Sequence, residues 1–419
     1  MIMEKAIVVG VELFDSEYSL EYSLDELTNL AKSLDIKVVE RVSQKLDKIN
    51  PKFYLGSGKV EEIKNMIVAL DIDTVIFDDE LSPSQIRNLE KTLEVKVIDR
   101  TLLILDIFQS RANTTEAILE TKLAKLKYML PRLVGLNNYM SRQGGGAGVA
   151  NKGSGEKQIE LDRRKIAAEI IQIEERLKKI KNDRAAQRIK REKTNIPIVS
   201  LVGYTNAGKS TTFNTILKHS KVKNEKEVME KDMLFATLGT SVRNVKLPNN
   251  QEILLIDTVG FVSKLPTLLV NSFRSTLEEI LNSSLIIHVV DVSSPYYRNQ
   301  IDVTKNVLSE IGVTDIKEMY LLNKIDKCQT TPFFYEGKSL PFSNKSGLNN
   351  LELINLIENE ILEESNTFFN LNVPLADGKT ISLIEASGII KAKIYMTEYI
   401  YYQAYIPNTL ITKVKQYII

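Results

Sequence analysis

A glycine-containing stretch near the middle of the chain, GYTNAGKST, limits the possible folds more than any other feature. It spans residues 203–211 and follows the pattern G-x-x-x-x-G-K-S between a predicted buried strand, IPIVSLVG, and a predicted helix. The glycines let the backbone curl so that successive N–H groups face a phosphate, and the helix that follows adds the positive end of its dipole. The pattern therefore predicts an α/β domain built around a phosphate-binding loop.

The side chains in and after this loop predict a magnesium-dependent nucleotide site. Lys209 is expected to reach the β- and γ-phosphates, and the Ser210 hydroxyl is expected to ligate Mg²⁺. The segment IDTVG ends a hydrophobic strand, which puts Asp257 at the tip of that strand. There Asp257 can hold Mg²⁺ through water while the Gly260 N–H meets the γ-phosphate. The spacing thus predicts binding of a nucleoside triphosphate.

A second motif, NKID at residues 323–326, indicates which base is bound. Guanine has two neighbouring donors, N1–H and the exocyclic amine, and the single carboxylate of Asp326 can accept both hydrogen bonds. Adenine has an acceptor at N1 and no amine at C2, so it would match that carboxylate badly. Asn323 and Lys324 would support the loop and the base. The motif predicts a preference for guanine.

The order of these motifs resembles that of GTPases of the Obg/HflX group. The matching segments are, in chain order, GYTNAGKST, FATL, DTVGF, NKID and SNK. Three further segments are similar to the HflX family: VIDRTLLILDIFQSRANTTEAILETKLAKLKYMLPRL, SRQGGGAGVANKGSGEKQIELDRR and LPTLLVNSFRSTLEE. The similarity runs from about Gly56 to Asn350. It implies a ribosome-associated enzyme that hydrolyses GTP with Mg²⁺ as cofactor.

The resemblance also implies roles for residues beyond the phosphate-binding loop. Thr237, in FATL, would be the switch threonine that closes onto Mg²⁺ and the γ-phosphate, and Ser343 and Lys345 would form the last loop on the guanine side. The sequence departs from the family at Asn344, where the family has alanine. It departs again at residues 239–241, Gly-Thr-Ser, where the family more often has Asp-Pro-Thr. These departures predict a perturbed base contact and a looser switch.

Together, the motifs and the resemblance define the predicted site. The predicted catalytic residues are Lys209, Thr237 and Gly260, and the predicted metal-binding residues are Ser210, Thr237 and, through water, Asp257. The predicted GTP-binding residues are Gly203, Tyr204, Thr205, Asn206, Ala207, Gly208, Lys209, Ser210, Thr211, Phe235, Ala236, Thr237, Leu238, Asp257, Thr258, Val259, Gly260, Asn323, Lys324, Asp326, Ser343, Asn344 and Lys345.

The residue that follows the DTVG glycine is Phe261, and it bears on the rate of hydrolysis. In small GTPases of the Ras type a glutamine at this position orients the attacking water. A phenylalanine ring can neither donate nor accept a hydrogen bond of that kind. We therefore expect a low intrinsic rate, with the water placed by a backbone group, by another side chain or by a partner.

Hydrophobic periodicity divides the chain into four predicted regions. Residues 1–112 alternate β-branched runs with amphipathic stretches, which predicts an α/β domain with a largely parallel sheet. Residues 113–194 carry two apolar stripes at helical spacing, which predict an antiparallel coiled-coil hairpin of two helices. Residues 195–364 are predicted to form an α/β P-loop GTPase (G) domain. Residues 365–419 are predicted to form a small C-terminal α+β domain.

The predicted hairpin is the basic part of an otherwise neutral chain. Residues 111–193 hold 20 Lys and Arg against 10 Asp and Glu, whereas the whole chain has a net charge of +1. This concentration predicts contact with a polyanion, the alternative being a solvated helical face. The glycine-rich segment 142–155 would be the exposed tip of the hairpin, where Arg142 and Lys152 would contact RNA phosphates, or else a disordered connector.

Composition restricts the remaining possibilities. The chain has one cysteine, Cys328, and two histidines, which argues against an internal disulfide, a zinc site or a Cys-His catalytic pair. His288, inside the predicted strand LIIHVVD, is expected to be a core residue. No stretch approaches the roughly 18 apolar residues of a membrane span. We expect a monomeric cytoplasmic protein, with partial membrane association left open.

The residues and the resemblance together predict a GTP-switched factor. It would bind the large (50S) ribosomal subunit and its rRNA through the basic hairpin, and it would split or rescue stalled ribosomes. Two alternatives stay open: a GTPase that acts on non-ribosomal RNA or on a protein partner in stress signalling, and an RNA-binding scaffold with a vestigial GTPase. The resemblance also leaves open an ATP-directed activity of the N-terminal domain, for which the segment GSGKVEEI (residues 56–63) is weak support.

Overall fold

A computed structural model of the chain describes the main chain of residues 3–13, 19–133, 152–192, 196–221, 235, 241–266, 269, 279–330, 332, 334 and 336–419, and, within 152–192, the side chains of residues 160–183. The chain forms two compact units. The first comprises residues 1–180 together with 233–235 and 264–273. The second comprises residues 181–232, 236–263 and 274–419.

The first unit is built on a four-stranded parallel sheet with the strand order β2-β1-β3-β4. The strands are β1 (Lys5–Glu12), β2 (Lys37–Lys45), β3 (Thr74–Phe77) and β4 (Lys96–Asp99). The helices that alternate with them are α1 (Leu20–Lys32), α2 (Ser57–Leu70), α3 (Pro83–Leu93) and α4 (Arg100–Arg111). The predicted α/β layer with a parallel sheet is confirmed.

Local sequence explains these elements. The central strand β1, KAIVVGVE, is buried along six consecutive residues, as expected for a parallel strand covered on both faces. Helix α3 begins at Pro83, and Ser82 and Gln85 form a capping box that satisfies donors of the first turn. Helix α2 begins directly after Gly56, whose N–H donates to the Gln44 side chain at 3.0 Å.

A fifth helix, α5 (Thr115–Met129), packs on α4. The leucines at helical spacing form only part of the face that packs. Leu123 is buried, whereas Leu119, Leu126 and Leu130 are half-buried. Small and polar residues complete the buried face: Ala117, Glu120, Thr121, Ala124 and Tyr128. Close packing on α4 therefore depends on small side chains that a search for leucine periodicity does not detect.

The long helix α6 (Lys152–Glu192) carries the second predicted stripe. Ile173 is buried on it, and Ile166, Ile170, Leu177 and Ile180 are half-buried. Two ion pairs link α5 to α6, Lys122–Glu169 at 2.5 Å and Lys127–Glu174 at 2.7 Å. The antiparallel direction of the two helices stays a prediction.

The start of α6 corrects one predicted boundary. The glycine-rich tip was predicted over residues 142–155, but residues 152–155 are helical. Residues 156–192 contain neither glycine nor proline, and extending an existing helix by one turn costs little compared with starting one. Residues 142–151 lie outside the described part of the chain.

The second unit contains a six-stranded sheet with the order β10-β9-β8-β5-β7-β6. All neighbours are parallel except β6 and β7. The strands are β5 (Ile198–Val202), β6 (Ser241–Lys246), β7 (Glu252–Asp257), β8 (Leu285–Asp291), β9 (Lys317–Asn323) and β10 (Ser339–Pro341). The helices are α7 (Lys209–Lys218), α8 (Tyr297–Ile311) and α9 (Asn350–Ser365), with one-turn 3₁₀ helices at Ile280–Asn282 and Ile325–Lys327. The strands predicted at IPIVSLVG, before Asp257 and at LIIHVVD are present as β5, β7 and β8, and β6 lies at the edge of the sheet.

The C-terminal part of the second unit is a three-stranded antiparallel sheet with the order β11-β13-β12. The strands are β11 (Asn366–Pro374), β12 (Ile389–Tyr395) and β13 (Tyr399–Pro407). Helix α10 (Gly378–Ser387) covers one face, followed by α11 (Ile411–Val414) between short 3₁₀ helices at Asn408–Leu410 and Lys415–Tyr417. This arrangement confirms the predicted α+β character. The division at residues 112, 194 and 364 stays a prediction.

Across the described ranges, every helix is too short or too polar to cross a membrane.

A buried charge network in the first unit makes a stability prediction. Arg100 is fully buried and pairs with Glu26 and, at 2.8 Å, with Asp78. Burial by itself would raise the pKa of Asp78, but Arg100 and Lys264 hold that pKa below its usual value. We expect Arg100→Met to cost about 3–5 kcal/mol of unfolding free energy, because it removes the buried cation that lies between two buried carboxylates. Denaturant titration followed by circular dichroism measures the change.

Lys45→Met provides the control, because Lys45 pairs with Glu12 at the surface and its side chain is 84% exposed. Such exposed pairs contribute at most about 1 kcal/mol. Equal destabilisation by the two substitutions would show that the network does not stabilise the first unit.

Candidate functional site

The phosphate-binding loop lies where the sequence predicts it, between β5 and α7. Side chains donate hydrogen bonds to four of its carbonyl groups. Lys209 Nζ donates to the carbonyls of Gly203 and Tyr204 at 2.9 and 2.7 Å. Lys324 Nζ donates to Asn206 O and Asn323 Nδ2 to Ala207 O, both at 2.7 Å. Because a peptide N–H points opposite to its carbonyl, holding the carbonyls on one side directs the N–H groups to the other, where a phosphate would bind.

The loop has no room for side chains at Gly203 and Gly208, the two glycines of the G-x-x-x-x-G-K-S pattern. Both have positive φ, +144° and +102°, which residues with a Cβ rarely adopt. A Cβ on Gly203 would lie 2.2 Å from Val289 O, and one on Gly208 would lie 2.2 Å from Asn323 Nδ2. The glycines are therefore required by close approach of β8 and β9 as well as by the curl of the loop.

Lys209 is the only charged group in the loop, and it is buried. Burial lowers its pKa to about 8, and the nearby Asp257 carboxylate acts in the opposite direction. The ammonium group is held by two neutral carbonyls, so a phosphate in the loop would give it the anionic partner that burial calls for. The Lys209 ammonium group is therefore positioned to bind a phosphate.

Ser210 and Asp257 come together as predicted for a metal site. The Ser210 hydroxyl donates to Asp257 Oδ2 at 2.9 Å, and Asp257 is fully buried at the end of β7. A hydroxyl and a carboxylate oxygen are donors that suit a hard cation such as Mg²⁺. Among the described residues no cluster of three or more His, Cys, Asp or Glu could hold a metal by protein side chains alone. The pair therefore fits a cation that completes its shell with water and phosphate oxygens.

The segment after Asp257 is paired to the phosphate-binding loop through its backbone. Thr205 N donates to Phe261 O at 2.7 Å, and Phe261 N donates to Gly203 O at 3.2 Å. A Cβ on Gly260 would lie 2.9 Å from Lys209 Nζ and 2.8 Å from Thr205 Cγ2. Gly260 is thus pressed against the lysine that is predicted to hold the γ-phosphate, and its lack of a side chain is what permits the approach.

Phe261 itself is buried at 2% exposure. Its ring lies in the interior, so it takes no part in orienting a water at the surface of the loop. On the same segment, Ser263 N donates to the Tyr204 hydroxyl at 2.6 Å. The sequence predicted that Phe261 could not replace a glutamine, but it gave no sign that the Phe261 backbone joins the two loops.

The base side of the site is built at the ends of β8 and β9. Asn323 is buried, and its Oδ1 accepts from Asn344 N at 3.3 Å. Lys324 has positive φ, +63°, and pairs with Asp291 Oδ2 at 2.7 Å. Asp291 was not among the predicted site residues. Its position at the end of a strand adjacent to β9 is the signal that could have identified it, since the carboxyl ends of parallel strands converge at one edge.

Asp326 is exposed and oriented by one hydrogen bond. The buried Ser343 donates from its hydroxyl to Asp326 Oδ1 at 2.6 Å. That hydrogen bond lowers the pKa of Asp326, and the charge of the nearby Lys345 acts in the same direction. The carboxylate is therefore ionised and held in place to accept hydrogen bonds, as reading guanine requires.

Asn344, the departure from the family pattern, binds α7. Its Nδ2 donates to Thr212 Oγ1 at 2.9 Å, and its Oδ1 accepts from Thr215 Oγ1 at 3.0 Å. Both amide atoms are thus engaged by the helix. The substitution for alanine adds hydrogen bonds between the base-side loop and the phosphate-binding helix, which is a stabilising contact that the sequence alone did not predict.

Other predicted residues belong to the first unit or lie outside the described residues. Phe235 belongs to the first unit, where its ring meets the Phe108 ring edge-on at 4.5 Å. Its role in GTP binding stays a prediction. Ala236, Thr237, Leu238 and Arg142 lie outside the described residues. Lys152 is the first residue of α6, and its side chain lies outside them too.

The other chemically reactive residues are structural. His288 is buried and stacks on Tyr320 at 5.2 Å, and burial lowers its pKa to about 3 with further contributions from Lys305 and Lys209. The core role predicted for His288 is confirmed. Burial also raises the pKa of Cys328, so its thiol is not activated as a nucleophile.

Comparison with known proteins agrees with this geometry. Residues 21–109 match the family model described as GTP-binding GTPase N-terminal, residues 111–191 match GTP-binding GTPase Middle Region, and residues 198–324 match 50S ribosome-binding GTPase. The protein GTPase HflX of Lacrimispora saccharolytica is 41% identical over 412 residues, covering 98% of this chain and 95% of the relative. GTPase HflX of Escherichia coli K12 is 40% identical, covering 77% of this chain and 73% of the relative.

A solved structure is also similar. A GTP-binding protein from Sulfolobus solfataricus, in complex with GDP, superposes with a TM-score of 0.45 and 25% identity. The match covers 85% of this chain and 98% of that one.

The close approach of Gly260 predicts a strong effect of adding one methyl group. We expect Gly260→Ala to lower kcat/KM for GTP hydrolysis roughly 100-fold, because the added Cβ must push the segment or Lys209 out of position. Gly58→Ala is the control, since a Cβ there meets nothing within 4 Å on the exposed face of α2. Single-turnover and steady-state GTPase assays compare the two. Equal rates for both variants would contradict the assigned packing.

The buried His288 predicts an acid-dependent stability. Its pKa is about 3 when folded but about 6.5 when unfolded. Between those values the unfolded chain binds the extra proton, so stability falls as the pH drops, by up to about 1.4 kcal/mol per pH unit. We expect His288→Leu to lose stability less steeply than wild type between about pH 6 and about pH 4. If the free energy of unfolding fell equally with pH in the two proteins over this range, His288 would not be a buried neutral imidazole.

Proposed function

The chain belongs to the HflX family of GTPases, and from this we propose that it hydrolyses GTP on the large (50S) ribosomal subunit, which it contacts through basic residues of α6. The single observation that carries the proposal is that the phosphate-binding and base-side residues of a guanine-nucleotide site come together in a chain that also bears a long helix with exposed basic residues. A phosphate-rich RNA surface is the partner that such a helix suits.

The charges on α6 are not simply cancelled by neighbouring acids. Acids of this helix pair with Arg164, Lys165 and lysines of α5. Arg176, Lys178 and Lys179 are exposed, and within the described part of the chain no ion-pair partner is found for them. These three cations lie within about one turn of the helix, with Arg176 and Lys179 as neighbours on the same side. They supply a compact positive surface for RNA phosphates.

The nucleotide chemistry follows from the residues of the site. The N–H groups of the loop and Lys209 would hold the β- and γ-phosphates, and Asp326 would accept from the guanine. Ser210 and, through water, Asp257 would hold Mg²⁺, with Thr237 as a proposed third ligand. The cation would neutralise charge that develops on the phosphates during transfer. Gly260, next to Lys209, would sense whether the γ-phosphate is present.

Hydrolysis needs a positioned water, and Phe261 does not supply the group. We propose that the ribosome completes the site by ordering a residue or a backbone group near the γ-phosphate. Binding would then come first and hydrolysis would follow on the subunit. We further propose that the GTP-bound form splits or rescues stalled ribosomes and that hydrolysis releases the protein.

One experiment tests the ribosomal partner. GTP hydrolysis and co-sedimentation are measured with and without 50S subunits, for the wild type and for Arg176→Gln/Lys178→Gln/Lys179→Gln. We expect 50S subunits to accelerate hydrolysis by the wild type. The triple variant should keep its basal rate, lose most of the acceleration, and show a salt dependence of subunit binding reduced by about two to three in log–log slope.

The control variant replaces three exposed lysines of the four-stranded sheet by glutamine. They are Lys37, Lys45 and Lys96. This variant removes the same charge from another surface and should behave as the wild type. Equal GTPase rates with and without subunits, together with no GTP-dependent co-sedimentation, would overturn the proposal in favour of a non-ribosomal partner. Mixing the GTP-analogue form with 70S ribosomes and counting free subunits tests the splitting step separately.

A further inference from the structure

The outer face of the C-terminal sheet carries a row of aromatic and amide side chains that the nucleotide site does not use. Along the central strand β13, alternate residues Ile400, Tyr402, Ala404 and Ile406 are buried beneath α10 and its neighbours. The residues between them point to the opposite side and are partly exposed. On that side the central strand presents three tyrosines and one glutamine.

The neighbouring strands extend the same surface. In register, Phe368 of β11 is opposite Tyr405, Asn370 is opposite Gln403, and Asn372 is opposite Tyr401. Lys391, in the irregular part of β12, lies 5.9 Å from the centre of the Tyr405 ring. We name this surface the aromatic face, and its members are Phe368, Asn370, Asn372, Lys391, Tyr399, Tyr401, Gln403 and Tyr405.

The rings of the aromatic face are held in place by contacts among themselves. The Tyr401 hydroxyl donates to Asn370 Oδ1 and accepts from Gln403 Nε2, each at 3.1 Å. Phe368 and Tyr405 meet at 5.1 Å between ring centres. Phe368 is nevertheless 44% exposed, and none of these rings belongs to the core cluster of the C-terminal sheet. The rings are thus ordered without being covered.

The charge of this sheet restricts what can bind there. The strands NTFFNLNVP, IIKAKIY and YIYYQAYIP contain two lysines and no aspartate or glutamate. Aromatic rings stack on bases of any sequence, amide groups can hydrogen-bond to base edges, and strands without acidic residues do not themselves repel phosphates. A neighbouring acid is Glu358 of α9, which lies close enough to Lys391 for the two charges to interact. The outward positions of the central strand carry no branched aliphatic residue, and the flanking strand β12 adds one exposed isoleucine to this side, Ile394, opposite Tyr401.

We propose that the aromatic face binds single-stranded RNA by stacking its rings on unpaired bases. Outward residues two apart on a strand are roughly 6.6 Å from each other. Tyr399 and Tyr401 can therefore receive neighbouring bases of a strand whose bases are splayed apart, and Tyr405, about 13 Å from Tyr401, can receive a base further along it. Lys391 lies beside the outermost ring, where a backbone phosphate would pass. The site is separate from the basic helix α6, and it does not depend on ribosome binding.

The test uses the full-length protein and a short fluorescent oligouridylate, with binding followed by anisotropy over a range of salt concentrations. We expect Tyr401→Ala/Tyr405→Ala to bind at least tenfold more weakly than the wild type, since each stacked base contributes several-fold or more. The salt dependence should stay unchanged because no charge is removed. Tyr401→Phe/Tyr405→Phe keeps both rings and should retain most of the affinity.

Tyr395→Ala is the matched control. Tyr395 is a tyrosine of the same sheet, 66% exposed, but it pairs with the buried Ile400 and so lies on the other side of the sheet. It should bind RNA as the wild type does. Unchanged circular dichroism and denaturation midpoints show that each variant keeps its fold, and unchanged GTP turnover shows that the nucleotide site is unaffected. Full affinity in the double alanine variant, equal loss in the double phenylalanine variant, or equal loss in Tyr395→Ala would overturn the proposal. A face that binds a protein instead would give the first of these results.

Discussion

The nucleotide site depends on how the carbonyl groups of the phosphate-binding loop are held. Lys209, Asn323 and Lys324 donate to four of the five carbonyls from Gly203 to Ala207, so most of these peptide planes are held by protein side chains before any phosphate arrives. Two of these donors come from the base-reading motif more than a hundred residues later. The motif that would select guanine therefore also shapes the loop that would hold its phosphates. A substitution at Asn323 would affect the binding of both the phosphates and the base, because the same side chain supports both parts of the site.

Much of this site could be predicted from the sequence, because its motifs are short and their spacing is fixed by local geometry. Lys209 and Ser210 follow from the strand–loop–helix pattern, and Asp257 and Asp326 follow from their positions at strand ends. Asp291 and the α7 contacts of Asn344 could not be predicted, since their partners lie 33 and about 130 residues away. Such contacts depend on which strands become neighbours. The sheet order β10-β9-β8-β5-β7-β6 is a tertiary result that periodicity does not encode.

The same limit applies to the first unit and to α6. Alternating buried runs predict a parallel sheet, but the burial of Arg100 between Glu26 and Asp78 joins residues 74 and 22 positions apart. The start of α6 at Lys152 was missed for a different reason. Glycine lowers helix stability by about 1 kcal/mol per residue, so the segment GSG indicates a loop when considered alone. The uninterrupted helical sequence after it outweighs that local cost.

Phe261 shows how one position connects fold and regulation. Its backbone bonds to both Gly203 and Thr205, which makes it part of a short parallel bridge with Tyr204. A residue in such a bridge directs its side chain to one side, and here that side is the protein interior. A glutamine with the same backbone geometry would bury an amide in an apolar environment, at a cost of about 1–3 kcal/mol if it found no partner. The pairing that keeps Gly260 against Lys209 thus favours an apolar side chain at position 261. An enzyme built in this way gives up a water-orienting side chain at that position, so the water must be placed by a backbone group, by another side chain or by a partner. The way in which the two loops are joined thus explains why the side chain at position 261 does not place it.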